Sequence, residues 1–390
     1  MKPDILVVGA GLCGSIVARH FAEQGKSILI LEKRNHFAGN LYDFYDENGI
    51  LIQKYGPHVF RTDKLELFAY IRQFADWFFF NISTMAMIDG QFTPCPFNFK
   101  TIDQFWDYKE AQELKAHLNK YYNCEPKVTI VDLINSKDEL IREFANFLFE
   151  KDYKLYTSKQ WGMPAESVDL SILKRVPVRL SYEELFFDSA IQVLPRKGFT
   201  SFIKNVLAHK NISVETCVNA AGKLQIKNNH VYFNGDEFDN PIIYTGSIDE
   251  LQQYQYGVLP YRSLRFEFDY KEAPFYQPAA MCAYPQEKEY TRITEYTQLP
   301  FQGNGTIAAF AREYSFQYDP SEDLDPYYPI VNEDSNLLYQ KYKEQLDQIP
   351  NFFLCGRLAE YKYYYMDQAL ESAIELCKVI DDQWFNKESY

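Results

Sequence analysis

The most constraining feature of the sequence is a glycine-rich turn between an apolar run and a helical pattern near its start. Residues 5–8 (ILVV) lead into Gly9, Gly11 and Gly14, and a second apolar run ends directly before Glu32. In a Rossmann βαβ unit, glycines at this spacing allow a tight turn, close backbone approach to a pyrophosphate and close helix–strand packing. The helix N-terminus then faces the phosphates, and the acid accepts hydrogen bonds from ribose hydroxyls. The pattern predicts a bound dinucleotide.

Two further glycine turns favour FAD over a nicotinamide cofactor. Lys33 follows the acid, and Gly39-Asn40 forms a second turn soon afterwards, as a flavin lying across the domain requires. Taken alone, such a turn also occurs in surface loops. Near the end of the chain, residues 352–356 (FFLCG) predict a buried strand that enters a glycine turn, and apolar residues recur at helical spacing from Met366. We expect this closing helix to point its N-terminus at the flavin ring.

The composition excludes several classes of partner. The net charge of −14 and the pI near 5.0 argue against binding to nucleic acid, so an anionic substrate must be met by locally placed arginines. The seven cysteines form no CxxC pair and no secretory signal is evident, which predicts a cytoplasmic protein. The six histidines are too dispersed for a metal site, and no apolar run is long enough to span a membrane.

The pattern in the middle of the chain predicts segments that are inserted into the dinucleotide domain. The predicted fold class is α/β, with a discontinuous Rossmann-like FAD-binding domain, a helical-bundle insert and an antiparallel β-sheet substrate domain. Residues 102–160 are largely helix-like, and residues 261–316 alternate as antiparallel strands do. The expected boundaries are 1–63 with 200–246 and 347–385 for the FAD-binding domain, 64–80 with 100–165 for the helical insert, and 81–99 with 166–199 and 247–346 for the sheet domain.

Nine short stretches, in order along the chain, point to one family. They are residues 32–36 with 39–40, 54–56 with 58, 156–162, 174–179, 244–246, 261–264, 290–293, 326–329 and 356–364. With these stretches, the chain resembles the bacterial UDP-galactopyranose mutases over nearly its whole length. An ordered series of this length is very specific.

The resemblance implies an isomerase with non-covalently bound FAD that is active when reduced. In that chemistry, reduced flavin N5 is the covalent nucleophile that displaces the nucleotide from the anomeric carbon, and the sugar recloses as a pyranose or a furanose. The resemblance also implies a UDP-sugar substrate, furanose products for cell-surface polysaccharide such as capsule, and a homodimer. The protein itself must stabilise the leaving diphosphate and exclude water.

The resemblance also assigns residues, position by position. Arg179 and Arg292 match the catalytic arginines of the diphosphate site, where forked guanidinium groups suit phosphate oxygens. The implied cofactor residues are Gly9, Gly11, Gly14, Glu32, Lys33, Gly39, Asn40, His58, Gly356, Arg357, Met366 and Gln368. The implied substrate residues are Arg61, Tyr156, Trp161, Phe186, Arg262, Cys282, Tyr328, Tyr363 and Tyr365. Plainer interpretations stay open, because such rings also form cores and such arginines also form surface or strand-edge charge pairs.

Four of these positions depart from the family pattern, all on the flavin and sugar side. Arg61 stands where typical members have histidine, and Tyr365 stands where they have aspartate, with Asp367 as a nearby substitute. Phe186 replaces a pocket tyrosine, and Cys282 aligns with a sugar-side asparagine. The phosphate-binding arginines match the family pattern. The differences therefore indicate an enzyme that retains the family's chemistry but acts on a different sugar.

Three functions stay open from the sequence. The first is a mutase for UDP-galactose, and the second is a mutase for another nucleotide sugar, carrying N-acetylgalactosamine, arabinose, fucose or a heptose. The third is a flavin amine oxidase or a related dehydrogenase with the same fold. Turnover by reduced enzyme without a redox product separates the first two from the third.

Overall fold

The computed structural model describes residues 2–164, 173–174, 176–300, 302 and 305–385. The predicted boundary at residue 165, and residues 166–172 and 175 of the predicted sheet segment, lie outside the described residues. The helices are α1 Leu12–Glu23, α2 Leu65–Ile71, α3 Phe99–Phe105, α4 Tyr108–Tyr121, α5 Ile130–Ile134, α6 Glu139–Leu148, α7 Lys154–Trp161, α8 Gly198–Leu207, α9 Ile248–Leu251, α10 Glu333–Leu346 and α11 Met366–Ile380. A π-helical turn, Phe149–Tyr153, joins α6 to α7.

The strands fall into one parallel sheet, one large mixed sheet and four small sheets among the described residues. They are β1 Ile5–Val8, β2 Ile28–Leu31, β3 Asp43–Tyr45, β4 Leu51–Gln53, β5 Phe60–Thr62, β6 Trp77–Phe79, β7 Thr84–Ile88, β8 Gln91–Pro94, β9 Lys127–Val128, β10 Val178–Arg179, β11 Ile191–Pro195, β12 Ile212–Glu215, β13 Leu224–Lys227, β14 His230–Phe233, β15 Asp236–Glu237, β16 Ile242–Tyr244, β17 Tyr261–Lys271, β18 Met281–Ala283, β19 Arg292–Glu295, β20 Ala308–Gln317, β21 Tyr328–Pro329 and β22 Phe352–Leu354. None of the described helices is long and apolar enough to cross a membrane.

The parallel sheet, with the order β12-β2-β1-β16-β22, is the centre of the dinucleotide domain. All four residues of β1 are buried, as expected for a parallel sheet that is covered on both faces. Helix α1 packs against α11 on one face, where Ile16 and Val17 share a core with Leu370 and Ala373. The five strands all lie within residues 1–63, 200–246 and 347–385, the ranges predicted for this domain.

The large sheet, with the order β21-β17-β20-β19-β18-β7-β8, is antiparallel except for the β18–β7 pair. Its long central strands β17 and β20 pair over ten residues, from Arg262 with Gln317 to Lys271 with Ala308. Helices α3 to α6 cover the β7 end, because Ala86 and Ile88 of β7 lie in one core cluster with Phe144 of α6. The sheet and the helical insert therefore share one core, and α7 at the end of the insert contacts β20.

Two segments pack differently from their predicted domains. Residues 64–80, assigned to the helical insert, contribute Leu67 and Ile71 to the core of the dinucleotide domain instead. The reason is that β6 at the end of this segment pairs with β11, which in turn pairs with β5. β11 itself, assigned to the large sheet, therefore belongs to this three-stranded sheet beside the parallel one.

Candidate active site

A groove runs along the carboxyl edge of the parallel sheet. Its walls include Gly9 after β1, Glu32 after β2, Thr245 after β16 and Gly356 in the turn after β22. Ligands of open α/β sheets bind outside the carboxyl ends of the strands, so this edge is the expected dinucleotide site. The other predicted cofactor residues that line the groove are Gly11, Gly14, Lys33, Gly39, Asn40, His58, Arg357 and Met366.

The three glycines of the first turn are required for different reasons. A Cβ on Gly14 would lie 2.0 Å from the carbonyl oxygen of Gly9, and a Cβ on Gly9 would lie 2.1 Å from Oγ1 of Thr245. A Cβ on Gly11 would meet only Cα of Gly39, at an ordinary 3.7 Å. The protein itself thus requires Gly9 and Gly14, whereas Gly11 keeps open the surface that a pyrophosphate would approach. The residues present fit a dinucleotide cofactor.

Glu32 connects the second strand to the glycine turn. Its side chain is buried, one carboxylate oxygen accepts the N–H of Ala10 at 2.8 Å, and the other accepts the N–H of Arg34 at 2.9 Å. Each oxygen retains a second lone pair, so the acid can hold the turn and also accept from a ribose hydroxyl. These hydrogen bonds replace the ones that the carboxylate would make with water, so a buried carboxylate is stable at this position.

Asp325 is a groove residue that the sequence analysis missed. Its carboxylate accepts from Nη2 of Arg34 at 2.7 Å and pairs with Nζ of Lys33 at 2.9 Å, while the Arg34 guanidinium also donates to Oδ1 of Asn40 at 3.1 Å. Although burial raises it, the charges of Arg34 and Lys33 hold the pKa of Asp325 below its usual value. Through this cluster, Asn40 of the second glycine turn is linked to the segment directly before β21, an edge strand of the large sheet.

The far end of the groove is formed by residues near α11. His58 donates from Nδ1 to the carbonyl of Gly56 at 2.8 Å, and burial together with the charge of Arg357 lowers the pKa of His58 to about 4. Its imidazole is therefore neutral, and Nε2 is left as an acceptor. Gln368 was predicted to touch the cofactor, but its side-chain oxygen instead accepts the N–H of Tyr365 at 3.0 Å and caps α11.

A second, larger cavity of about 890 Å³ lies between the large sheet, α7 and the β5–β11 region. Its charged groups are arginines, lysines and aspartates, and its walls are rich in aromatic rings. Within the described residues, no group of three or more His, Cys, Asp or Glu side chains could hold a metal ion. The predicted site residues that line it are Arg61, Tyr156, Trp161, Arg179, Phe186, Arg292, Tyr363 and Tyr365.

The groove and the cavity meet at Tyr365, whose side chain lines both. This residue is the N-cap of α11, and Met366 after it lines the groove. A ligand in the cavity therefore approaches the cofactor groove beside this ring. The juncture is where a flavin-dependent reaction on a bound substrate would take place.

Each predicted catalytic arginine is held by a carboxylate. Arg179, which is buried, donates from Nη2 to Asp188 at 2.5 Å, and no partner for its Nε is found among the described residues. Arg292 donates from Nε and Nη2 to one oxygen of the buried Glu313, at 2.7 Å in both cases. Although burial lowers it, Glu313 holds the pKa of Arg292 above its usual value. Both guanidinium groups are thus oriented before a substrate binds.

Arg61 is clamped between two aromatic rings at the juncture. Its guanidinium carbon lies 4.2 Å from the ring centre of Phe187 and 4.1 Å from that of Tyr365. Cation–π contacts of this kind restrict a long side chain to one orientation. Arg61 therefore places a cation that is held by two aromatic rings beside Tyr365, where the cavity meets the cofactor groove.

Three predicted substrate residues do not line the cavity. Cys282 was wrongly placed there: it is fully buried, and its strand neighbours Met281 and Ala283 line the cavity instead, because successive side chains of a strand point to opposite faces. Arg262 is buried behind the wall, where Nη2 donates to Oγ of Ser315 at 2.9 Å. Tyr328 lies beside Arg262 and packs edge-on against Trp161 at 5.4 Å.

The cavity also contains polar residues that the sequence analysis did not single out. Asp188 pairs with Arg179 and with Lys127, and Lys174 also lines the cavity. Asp152 lines the cavity from the π-helical turn before α7. Only its position one helical turn before Tyr156 could have indicated this.

A dinucleotide groove that meets a second, larger cavity defines an enzyme with a dinucleotide cofactor. A Rossmann-like NAD(P)-binding domain family matches residues 7–74, and the UDP-galactopyranose mutase family matches residues 151–363. The chain belongs to the UDP-galactopyranose mutase family. It is therefore an FAD-dependent isomerase.

Similar proteins support this assignment. The chain is 33% identical to a UDP-galactopyranose mutase of Mycoplasma pneumoniae, over 96% of this chain and 95% of that protein. It is 31% identical to a dTDP-fucopyranose mutase of Escherichia coli, over 96% and 97%. A crystal structure of reduced UDP-galactopyranose mutase superposes with a TM-score of 0.71 at 15% identity, covering 99% and 97% of the two chains. Putrescine oxidase, with a TM-score of 0.56 at 13% identity over 98% and 99%, shares the fold alone.

Proposed function

We propose that this chain interconverts the pyranose and furanose forms of a nucleotide sugar and so supplies furanose precursors for surface polysaccharide. The observation that carries the proposal is Tyr365, which lines both the dinucleotide groove and the arginine-lined cavity. Relatives named for UDP-galactopyranose and for dTDP-fucopyranose support a pyrimidine nucleotide sugar as substrate. UDP-galactose is the first candidate.

The groove residues would hold FAD, which supplies the nucleophile at N5 when it is bound and reduced. The turn from Gly9 to Gly14 offers backbone N–H groups to the pyrophosphate, and Glu32 accepts from ribose. His58 stays neutral at physiological pH, so it adds no positive charge beside Arg357. The chain thus contributes binding and orientation, and it needs no side-chain nucleophile of its own.

The two arginines would stabilise the departing diphosphate. Negative charge grows on the diphosphate as the bond to the anomeric carbon breaks, so donors fixed in advance lower the barrier more than mobile ones. Asp188 and Glu313 provide this fixation for Arg179 and Arg292. Each guanidinium group has five N–H donors, so pairing with a carboxylate leaves further N–H groups for phosphate oxygens.

The aromatic walls would protect the opened sugar from water. Phe186, Phe187 and Trp161 line the cavity together with the apolar side chain of Met281. Apolar walls exclude water, which strengthens the arginine–phosphate attraction and prevents hydrolysis. Replacing the family tyrosine by Phe186 removes a hydroxyl from this wall.

A different sugar from galactose is the second candidate, because Arg61 stands at the juncture. A guanidinium presents fixed charge and several donors where the typical family histidine presents a smaller ring. A site whose polar side chain forms a hydrogen bond with a sugar hydroxyl binds a sugar without that hydroxyl much more weakly, because the side chain is then left unpaired. The dTDP-fucopyranose mutase among the relatives is named for such a different sugar.

Arg61→His is expected to change the ratio of kcat/KM between nucleotide sugars by about tenfold or more, because the site gains or loses a bonded sugar hydroxyl. Wild type, Arg61→His and Arg61→Lys are compared on UDP-galactose, UDP-N-acetylgalactosamine, UDP-arabinose and dTDP-fucose, with FAD content as the folding control. Arg61→Lys retains the charge but loses the planar fork. A wild-type preference for UDP-galactose of more than about tenfold over every alternative, unchanged in Arg61→His, would contradict the altered sugar.

The same panel tests the proposed function. Reduced wild-type enzyme converts at least one pyranose of the panel to its furanose, seen as a new nucleotide-sugar peak in chromatography. An oxidised organic product with hydrogen peroxide would instead identify an oxidase. The homodimer implied by the family resemblance and the cytoplasmic location predicted from the cysteine pattern belong to the same proposal, and sedimentation and cell fractionation test them.

A further inference from the structure

Glu360 is a partly buried carboxylate in the segment that connects β22 to α11. One of its oxygens accepts the N–H of Gly356 at 2.7 Å and the hydroxyl of Ser372 at 2.9 Å, and the other accepts the hydroxyl of Tyr364 at 2.9 Å. The ammonium of Lys362 lies 3.5 Å away but is exposed, so this ion pair adds little. The carboxylate therefore joins the turn after β22, the end of the segment and helix α11 at one point.

The segment 356–365 carries residues of both sites. Arg357 lines the dinucleotide groove, Tyr363 lines the cavity, and Tyr365 lines both. The guanidinium of Arg357 donates to the carbonyl of Tyr364 at 3.2 Å, so the beginning of the segment also contacts its end. One short stretch of chain therefore forms part of the groove wall and part of the juncture.

The hydrogen bonds to Glu360 are of a strong kind. Burial and the nearby carboxylate raise the pKa of Tyr364, so its hydroxyl retains the proton that it donates. Hydrogen bonds to an ionised acceptor are roughly twice as strong as those between neutral groups. The bonds from Gly356 and Tyr364 therefore restrict the two ends of the segment more than bonds between neutral groups would.

Glu360 can affect a bound ligand only through its neighbours. Among the described residues, neither Glu360 nor Tyr364 lines the groove or the cavity. The residue after Tyr364 is Tyr365, whose ring centre lies 4.1 Å from the guanidinium carbon of Arg61. Gln368 accepts the N–H of Tyr365 from the side of α11, and Glu360 holds the residue before it. Tyr365 is thus fixed from both directions along the chain.

We propose that Glu360 is a positioning residue that fixes the cofactor turn at Gly356 and the juncture ring of Tyr365 relative to each other. The inference rests on the proposed function, because the reaction at the juncture is what this positioning serves. Small misplacements of reacting groups lower a rate strongly. Arg179 and Arg292, which would bind the diphosphate, lie on β10 and β19, outside the segment. Loss of Glu360 should therefore lower kcat more than it lowers the affinity for the nucleotide.

The test compares three variants of the FAD-loaded protein. Glu360→Ala removes every acceptor, and Tyr364→Phe removes only the bond to the end of the segment. Glu360→Gln retains one acceptor oxygen and presents an N–H that the oxygen of the Tyr364 hydroxyl can accept, so it should rescue the function. Tyr314→Phe is the matched control, because the Tyr314 hydroxyl donates to Glu267 at 2.7 Å on the exposed part of the large sheet.

Three quantities are measured at full FAD content. They are kcat of the reduced enzyme, the dissociation constant of UDP by calorimetry, and the change in flavin absorbance when UDP binds to the oxidised protein. We expect Glu360→Ala and Tyr364→Phe to lower kcat by about tenfold, the scale of a lost hydrogen bond to a charged group, and to change the UDP dissociation constant by less than about threefold. The change in flavin absorbance should differ from wild type in these two variants only. Glu360→Gln and Tyr314→Phe should stay within about twofold of wild type.

The outcomes separate this inference from the proposed function. Wild-type kcat and a wild-type flavin absorbance change in Glu360→Ala would overturn the role of Glu360, and if that variant does not fold, the same result in Tyr364→Phe would overturn it. Losses in Glu360→Gln as large as in Glu360→Ala, or a loss of UDP affinity as large as the loss of kcat, would also overturn it. Altered flavin absorbance in the two variants, without pyranose-to-furanose turnover even by wild type, would instead overturn the proposed function.

Discussion

Arg292→Ala is expected to lower turnover by on the order of 10²-fold, because one fixed donor to the departing diphosphate is lost. Bound FAD should stay at its wild-type level, since Arg292 lines the second cavity and is absent from the lining of the dinucleotide groove. Arg179→Ala should lose activity on the same scale for the same reason. The measurement is kcat of reduced enzyme at saturating nucleotide sugar.

The substitution of Arg292 needs a control, because it leaves the carboxylate of Glu313 buried without its partner, which is destabilising. In the double variant Arg292→Ala/Glu313→Gln this stranded charge is removed, so thermal stability should recover while the activity loss remains. Arg312→Ala is the matched arginine control, since Arg312 lies next to Glu313 on β20 and pairs with the exposed Asp269. Losses below about threefold at both Arg179 and Arg292 would leave the diphosphate assignment without support.

Gly11→Val is expected to abolish FAD binding while the fold persists. The backbone of Gly11 is extended, a conformation open to any residue, and its Cβ would meet only Cα of Gly39 at 3.7 Å. The Cβ of a residue at this position therefore meets no close protein atom, while its side chain would collide with a bound pyrophosphate, and forced overlaps of this kind cost about 1–3 kcal/mol or more. The flavin absorbance of the purified protein, relative to its protein absorbance, measures the loss.

Gly222→Val is the matched control for Gly11→Val. Gly222 is exposed, has no positive φ, and a Cβ there would meet no atom of the described residues within 4 Å. The Gly222→Val variant should contain as much flavin as the wild type and should have the same melting temperature. Full flavin content with normal affinity in Gly11→Val would show that the glycine turn does not contact the pyrophosphate.

The parts of the fold that were predictable are those in which local pattern decides the structure. The glycine turn, helix α1 and the closing helix α11 follow from residues close together in sequence, and burial of β1 follows from its four apolar residues. Most of the predicted cavity residues are also brought together, because the family resemblance carries tertiary information that a single pattern lacks.

The parts that could not be predicted depend on pairing between distant segments. Arg292 meets Glu313 because these residues are partners in the register of β19 with β20, and a shift by one residue would separate them. The same alternation turns Cys282 away from the cavity. Asp325 reaches Arg34 across 291 positions of sequence, and no local signal indicates that contact.

The central claim is that reduced flavin in the groove acts on a sugar held in the adjoining cavity, without net oxidation. The direct test is to assay one protein preparation with nucleotide sugar under anaerobic conditions, first oxidised and then reduced with dithionite, while counting furanose product against reductant consumed. The account predicts no turnover by the oxidised form and many turnovers per reducing equivalent by the reduced form. Equal activity of the oxidised form, or one reducing equivalent consumed for each product, would contradict it.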